Sequence, residues 1–448
     1  MDLTKATRAE LEEELKKLNE EYEGYQAQGL KLDMSRGKPG ADQLNACEGM
    51  LTVVKTSEDT VYQGLDTRNY GTLEGIPACR QMFADLLEVP VEQVLAGGNS
   101  SLTFMYDTMD RLMVFGAAGV DEPWLKKDKV KFLCPVPGYD RHFAICEQFG
   151  IEMINIPMDD NGPDMDMVEK LVAEDESIKG IWCVPKFANP SGVVYSDEVV
   201  RRFAALQPKA RDFRIFWDNA YIIHGITDED IQIPNIIEEC AKAGKPDMVF
   251  EFCSTSKISF PGAGVCAFAA SPANIAWQKK YMKAQQIGPD KINQLRHVLF
   301  FKDAAGLKNH MEIHKKMLRP KFDAVINTLE KNLAGTGAGS WTVPKGGYFV
   351  SFDAMEGCAK RTQQLCKEAG IVMTGAGATY PYGKDPGDSN LRIAPSYPPI
   401  EELQLAMEVF CVCAKKAAAE KLLAQYTGDR KSTRLNSSHL RIAYAGLC

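Results

Sequence analysis

Residues 248–262 read Met-Val-Phe-Glu-Phe-Cys-Ser-Thr-Ser-Lys-Ile-Ser-Phe-Pro-Gly. Met248 to Cys253 is a short apolar run without alternation, the pattern of a strand buried on both faces. Hydroxyls follow at Ser254, Thr255 and Ser256, then Lys257, then the turn signal Pro261-Gly262. A lysine at the mouth of a buried strand is poorly solvated, so its amine gives up a proton more readily. Such an amine forms Schiff bases with carbonyls. Neighbouring hydroxyls suit a phosphate. An aldehyde cofactor that carries a phosphate, pyridoxal phosphate (PLP), meets both demands. A surface lysine in a polar loop would look the same, so the rest of the chain decides.

Outward from this strand the pattern repeats. Apolar runs at 94–99, 130–136, 151–158, 178–185, 214–217 and 265–270 alternate with helical segments. Counted with 248–253, they predict an α/β fold whose large domain holds a mostly parallel, seven-stranded sheet between helices. Ligands of such sheets bind at the carboxyl ends of the strands. Tyr139, Asn189, Asp218, Tyr221 and Lys257 all fall there. The start of the chain carries a capping box at Thr7 and Glu10, and a helical stripe of Leu11, Leu15, Leu18, Tyr22 and Tyr25. A loop, Leu-Asp-Met-Ser-Arg-Gly-Lys-Pro-Gly at 32–40, follows. After a long helical stretch at 302–333, which Pro320 should kink or break, strands at 341–343 and 348–352, a helix at 359–369, a Gly-rich loop at 374–390 and a short strand at 390–394 predict a smaller α+β domain. A final helix is expected over 400–423. The expected division is 1–48 (N-terminal helix and loop, part of the small domain), 49–317 (large cofactor-binding domain), 318–428 (C-terminal small domain) and 429–448. That last stretch is basic, lacks a helical stripe and resembles translated vector sequence more than a native terminus.

Composition narrows the partners. The chain has 448 residues, 45% hydrophobic and 25% charged, with a formal net charge of −8. An acidic chain of this kind is not built to bind nucleic acid. No run of eighteen apolar residues spans a membrane, and the start has no apolar signal core. Thirteen cysteines sit scattered in apolar runs without a CxxC pair, which predicts buried thiols in a reducing cytoplasm.

Several residues suit one cofactor. Gly97-Gly98-Asn99-Ser100-Ser101 places a glycine turn and hydroxyls between a strand and a helix, the arrangement that cradles a phosphate. Asp218, at a strand end with Tyr221 three residues on, is a buried carboxylate in need of a cation, and a pyridinium nitrogen would be one. Asn189 and Tyr221 suit the ring's phenolate oxygen, Tyr139 can stack on the ring, and Arg392 can grip a carboxylate with two parallel hydrogen bonds. Each alone has an ordinary structural explanation.

Their order does not. Tyr70, Gly98-Asn99-Ser100-Ser101, Pro137-Gly138-Tyr139, Asn189-Pro190-x-Gly192, Asp218-x-x-Tyr221, Ser254-x-x-Lys257 and Leu391-Arg392-Ile393 resemble the class I/II aminotransferases, which are fold-type I PLP-dependent enzymes. Around SRGKPG and STSKISFPGAG the chain is similar to a divergent subgroup of bacterial aspartate aminotransferases, often grouped with MocR-like aminotransferase domains. The resemblance implies Lys257 as the Schiff-base lysine and proton shuttle, Asp218 on the pyridine nitrogen, and Asn189 and Tyr221 on the phenolate. It implies phosphate contacts from Asn99, Ser100, Ser101, Ser254 and Ser256, with Tyr70 reaching the phosphate of a neighbouring subunit in a homodimer. Arg392 would take the substrate α-carboxylate, and Gly37 would lie over the substrate. The substrates implied are an L-amino acid, aspartate or glutamate, and a 2-oxo acid. Two departures stand out. The arginine the family usually has shortly after the lysine is replaced by Gly262-Ala263-Gly264-Val265, and the arginine for a distal carboxylate is not recognisable. Arg36 and Lys38 are candidates for it by charge and placement. Other specificities (aromatic, alanine), a PLP lyase or decarboxylase, and an effector-sensing MocR-type domain are the competing readings. His310 and His314 are spaced as in zinc helices, but no third ligand is evident, so no metal site is expected.

Overall fold

The computed structural model describes residues 1–120 and 122–443, with side chains described through Tyr426. All seven expected strands form and lie in one sheet. Its spatial order is Val94–Ala96, Cys266–Ala270, Val249–Ser254, Arg214–Asp218, Ile178–Cys183, Lys131–Val136, Glu152–Asp159 and Gly162–Pro163. The eighth strand, Gly162–Pro163, was not expected. It is two residues long and folds back antiparallel on Glu152–Asp159, too short to leave a periodic signal. The central strands pair in parallel, and Cys266–Ala270 runs antiparallel to both its neighbours.

The unbroken apolar runs have a direct cause. Ile178–Cys183, Arg214–Asp218, Val249–Ser254 and Cys266–Ala270 are buried at every position. Alternate residues feed two cores. Leu133, Ile181, Ile215, Trp217, Val249 and Cys253 pack on one face. Phe132, Trp182, Phe216, Phe250, Phe252 and Phe268 pack on the other.

A third core joins the two ends of the chain. Helix Arg8–Gln26 starts in the expected capping box: Thr7 N donates to Glu10 Oε2 at 2.7 Å and Glu10 N to Thr7 Oγ1 at 3.4 Å. It buries Leu11, Leu18 and Tyr22, and the Tyr22 hydroxyl donates to the Leu365 carbonyl at 2.9 Å. Leu32 and Asp33 pair in parallel with Ile371 and Val372. Gly339–Trp341, Val350–Ala354 and Asn390–Ile393 form a three-stranded antiparallel sheet nearby.

Two further expectations concern helix continuity. Pro320 does not break its helix, which runs through it from Ala304 to Leu333. Only one backbone hydrogen bond is lost at a proline, and buried Leu318, Phe322 and Val325 anchor the helix on both sides of it. The last helix does not stop near residue 423 but continues from Ile400 to Ala443, through most of the stretch expected to stand apart. Gly428 is the only strong helix breaker between 424 and 443, and one glycine costs a helix only about 1 kcal/mol. The remainder of that stretch, 444–448, lies outside the described residues. No helix among the described residues is long and apolar enough to cross a membrane.

Candidate active site

The catalytic candidates meet where the sheet's central strands end. Asp218 closes strand Arg214–Asp218 with its side chain almost wholly buried. His142 Nε2 donates to Asp218 Oδ2 at 2.9 Å, while Asp218 Oδ1 is buried without a partner among the described residues. An unpaired buried polar atom costs about 1–3 kcal/mol, more when it is charged. This carboxylate therefore has an open place for a donor. His142 was missed in the sequence. It lies in helix Asp140–Gln148, its ring stacked on Trp182 (centroids 4.3 Å apart, planes 8° apart) and edge-on to Tyr139 at 4.9 Å. Its position three residues after Tyr139, at a helix start, was the available signal.

Lys257 follows strand Val249–Ser254, and its Nζ lies 5.0 Å from the centre of the Tyr221 ring. Burial lowers its pKa. The negative charge of Asp218 opposes that shift and the positive charge of Arg392 adds to it. The Tyr221 phenol is pushed well up, chiefly by burial, and Tyr139 is pushed up to about 12 by burial and by Asp218. Both phenols therefore stay protonated at neutral pH.

The backbone around Lys257 is held by residues the sequence did not mark. The Tyr348 hydroxyl donates to the Lys257 carbonyl at 3.2 Å and accepts from Gln43 Nε2 at 2.8 Å. Cys47 Sγ donates to the Ile258 carbonyl at 3.4 Å and lies 3.2 Å from His310 Nε2, and Gln43 Nε2 is 3.1 Å from His314 Nδ1. Cys47 is the third group that the His310/His314 spacing lacked. Its thiol is pushed up to about 12 by burial and is taken up in holding this loop. These contacts join positions 91 to 305 residues apart, so no local pattern announces them.

Beside the lysine loop is an anion cradle. Ser100 caps helix Ser101–Phe115, its Oγ accepting from Leu102 N at 3.2 Å. Ser256 Oγ donates to the Asn99 carbonyl at 3.2 Å, and Ser254 Oγ donates to Ser256 Oγ at 3.1 Å. Asn99, Ser100, Ser101, Ser254 and Ser256 are thus brought together at a helix N-terminus, which favours negative charge. The space in front of Gly98 is open. The turn 261–264, where the family's arginine is missing, is held by Asn293 Nδ2, which donates to the Ala263 and Gly264 carbonyls at 3.0 and 2.8 Å.

On the opposite side, Arg392 Nη1 donates to Asn189 Oδ1 at 3.2 Å and to Asp140 Oδ1 at 3.0 Å, and Nη2 donates to Thr374 Oγ1 at 3.3 Å. The guanidinium lies 4.8 Å over the Phe349 ring. Gly37 packs on that same ring: a Cβ there would come within 2.2 Å of Phe349 Cζ, so only glycine fits without displacing it. Thr374 Oγ1 in turn donates to the Ser35 carbonyl at 2.7 Å, tying the 32–40 loop to Arg392. Asp140 and Thr374 were also missed, since nothing local separates them from ordinary cap and loop residues. Lys38 Nζ sits 3.8 Å over the Tyr397 ring, whereas Arg36 is exposed. Tyr70 is not part of the cluster and stands 82% exposed.

A buried amine next to an unpartnered carboxylate, an anion cradle and a caged arginine, at the strand ends of this sheet, define a fold-type I aminotransferase. The chain belongs to the aspartate amino-transferase family, whose model matches residues 6–426. It is 46% identical over 403 residues to an aspartate aminotransferase of Corynebacterium glutamicum, covering 90% of this chain and 93% of that one. The crystal structure of an aspartate transaminase from C. glutamicum superposes with a TM-score of 0.92 at 44% identity, covering 94% of this chain and 99% of that one. An alpha-aminoadipate aminotransferase from Thermus thermophilus, solved with N-(5'-phosphopyridoxyl)-L-leucine, shares the fold with a TM-score of 0.71 at 20% identity, covering 88% and 93%.

Proposed function

We propose that this aminotransferase uses pyridoxal phosphate to exchange the amino group of L-aspartate or L-glutamate with 2-oxoglutarate or oxaloacetate, as a cytoplasmic homodimer. The observation that carries the cofactor is Asp218 Oδ1, a buried carboxylate oxygen without a donor beside a depressed lysine. Bound here, the cofactor supplies an aldehyde for the amine and a protonated ring that withdraws electrons. Asp218 Oδ1 would accept the ring N–H, with His142 holding the carboxylate in place. Tyr221 and Asn189 would bond the phenolate oxygen, and Tyr139 would stack on the ring. Asn99, Ser100, Ser101, Ser254 and Ser256 would take the phosphate. Arg392 grips the substrate α-carboxylate, and Lys257 Nζ, its pKa lowered by burial, takes the proton from the substrate Cα.

Purified protein supplied with single amino acids and 2-oxoglutarate should form glutamate fastest from aspartate. A higher kcat/KM for aromatic substrates or alanine would move the substrate assignment. Release of a 2-oxo acid over many turnovers, or of carbon dioxide, without an acceptor would mark the lyase or decarboxylase reading.

Aspartate has a second carboxylate, and the 32–40 loop offers two cations for it. Lys38 is already engaged by Tyr397, so Arg36 is the better candidate. Arg36→Ala should lower the ratio of kcat/KM for aspartate to that for alanine by about 10–100-fold, the worth of one charge-assisted hydrogen bond. Lys38→Ala should change it much less. A ratio unmoved by Arg36→Ala removes this loop from specificity.

Tyr70 supports the dimer, because a large exposed aromatic ring in a cofactor motif suits a neighbour's site. Co-expression of a Tyr70→Ala chain with a Lys257→Ala chain should restore part of the activity that each variant lacks alone, since a mixed dimer keeps one intact site. No restored activity in isolated mixed dimers would place Tyr70 in its own subunit's site, and full activity of Tyr70→Ala alone would place it outside the site.

A further inference from the structure

Arg392 is already paired before any substrate arrives. Its Nη1 bond to Asp140 Oδ1, at 3.0 Å, is an ion pair between a side chain 9% exposed and one 35% exposed. Arg392 Nε is buried without a partner, so that edge of the guanidinium is closed to solvent. The contact with Asp140 is the more open one. Asp140 is the first residue of helix Asp140–Gln148, where the helix N-terminus favours a negative charge. It follows Tyr139 and stands two residues before His142, so its backbone is fixed by the same element that positions the ring-facing groups. Thr374 holds Nη2 and Phe349 lies beneath, which fixes the guanidinium while Asp140 covers Nη1.

We infer that Asp140 is an internal competitor for the substrate carboxylate: it occupies the place on Arg392 Nη1 that the α-carboxylate takes, and it has to be displaced on binding. This rests on the assignment of Arg392 to that carboxylate. The consequence is a cost common to all carboxylates. Every carboxylate meets the same opposing charge at Arg392. A ligand held by that group alone, such as acetate, gains too little to displace Asp140. An amino acid, held also through its amino group and side chain, gains enough. Asp140 thus lowers the affinity for simple anions and for the substrate alike, a loss the substrate tolerates because it is also held elsewhere.

The test uses the cofactor-loaded enzyme with acetate as the probe. Asp140→Asn keeps the shape and removes the charge, and Asp140→Ser removes both the charge and the reach. In each variant acetate should inhibit about tenfold more strongly than in the unaltered enzyme, and KM for aspartate should fall by a similar factor. Adding Arg392→Ala to either variant should erase the gain in acetate inhibition. Acetate inhibition that stays unchanged, or a KM that rises in both variants, overturns the competitor role and leaves Asp140 as a group that merely positions Arg392. If Arg392→Ala alone leaves KM for aspartate unmoved, the assignment of Arg392 fails first. The two failures are therefore distinguishable.

Discussion

Lys257→Ala abolishes transamination, with kcat lower by at least about 10⁴-fold, and the purified variant loses the visible absorbance of a cofactor joined to a lysine. The size of the loss follows from the lack of a substitute. Tyr221 is next to the amine, but burial pushes its phenol far above neutral pH, so it cannot accept a proton. His224 packs edge-on to Tyr221 at 5.5 Å, yet burial pushes it well below its ordinary range, which makes it a weak base. Asp218 is turned toward His142. No neighbour has both reach and basicity. The loop itself should survive the change, because the Tyr348 and Cys47 bonds go to the backbone carbonyls of Lys257 and Ile258, which alanine retains. The variant should therefore remain folded, and small primary amines should restore part of the rate by entering the vacated space. A variant that keeps both absorbance and turnover would remove Lys257 from the mechanism.

The parts of the site that were legible in the sequence lie on strand ends. A strand buried on both faces leaves an unbroken apolar run, and the first polar residues after it stand out against that run. Asp218 and Lys257 were found in this way, as was the Gly97–Ser101 turn. The residues that orient them were invisible for the opposite reason. His142 reaches Asp218 from a helix 76 positions away, and Gln43 reaches Tyr348 across 305 positions. Asp140 meets Arg392 across 252. Such pairs depend on tertiary packing, and each partner has an ordinary local role as a helix residue or cap. The sheet was legible except for its edge, because a two-residue strand has no period. The end of the last helix was misread because one glycine, at about 1 kcal/mol, is too small a penalty to stop a helix, whereas Pro320 leaves its helix unbroken because buried residues hold it on both sides.

Asp218→Asn should separate the needs of the cofactor from the needs of the fold. With the cofactor, the loss is large. Replacing the carboxylate removes the charge that keeps the ring nitrogen protonated, and breaking one side of a buried pair is worth about 3–5 kcal/mol, so kcat should fall by roughly 10³-fold and the cofactor should dissociate more readily. His142→Ala acts only through Asp218 and should cost much less, about tenfold. Without the cofactor, the sign reverses. Asp218 Oδ1 is then a buried charged oxygen with no donor, in a strand with no exposed position. Asparagine keeps an oxygen for the bond from His142 Nε2 and removes the buried charge. Its amide nitrogen is then left unpaired in place of the charged oxygen, so the gain is only the difference between a charged and a neutral unsatisfied group, and the cofactor-free Asp218→Asn protein should melt no lower than the unaltered cofactor-free protein. The stabilisation that added cofactor brings to the unaltered protein should shrink in the variant. Thermal melts of both proteins, with and without pyridoxal phosphate, measure all four states. If the variant is destabilised equally in both conditions, Asp218 is a structural residue held by His142, and its open oxygen has no bearing on the cofactor. If only the loaded form suffers, the unmet carboxylate is the feature that binds the ring.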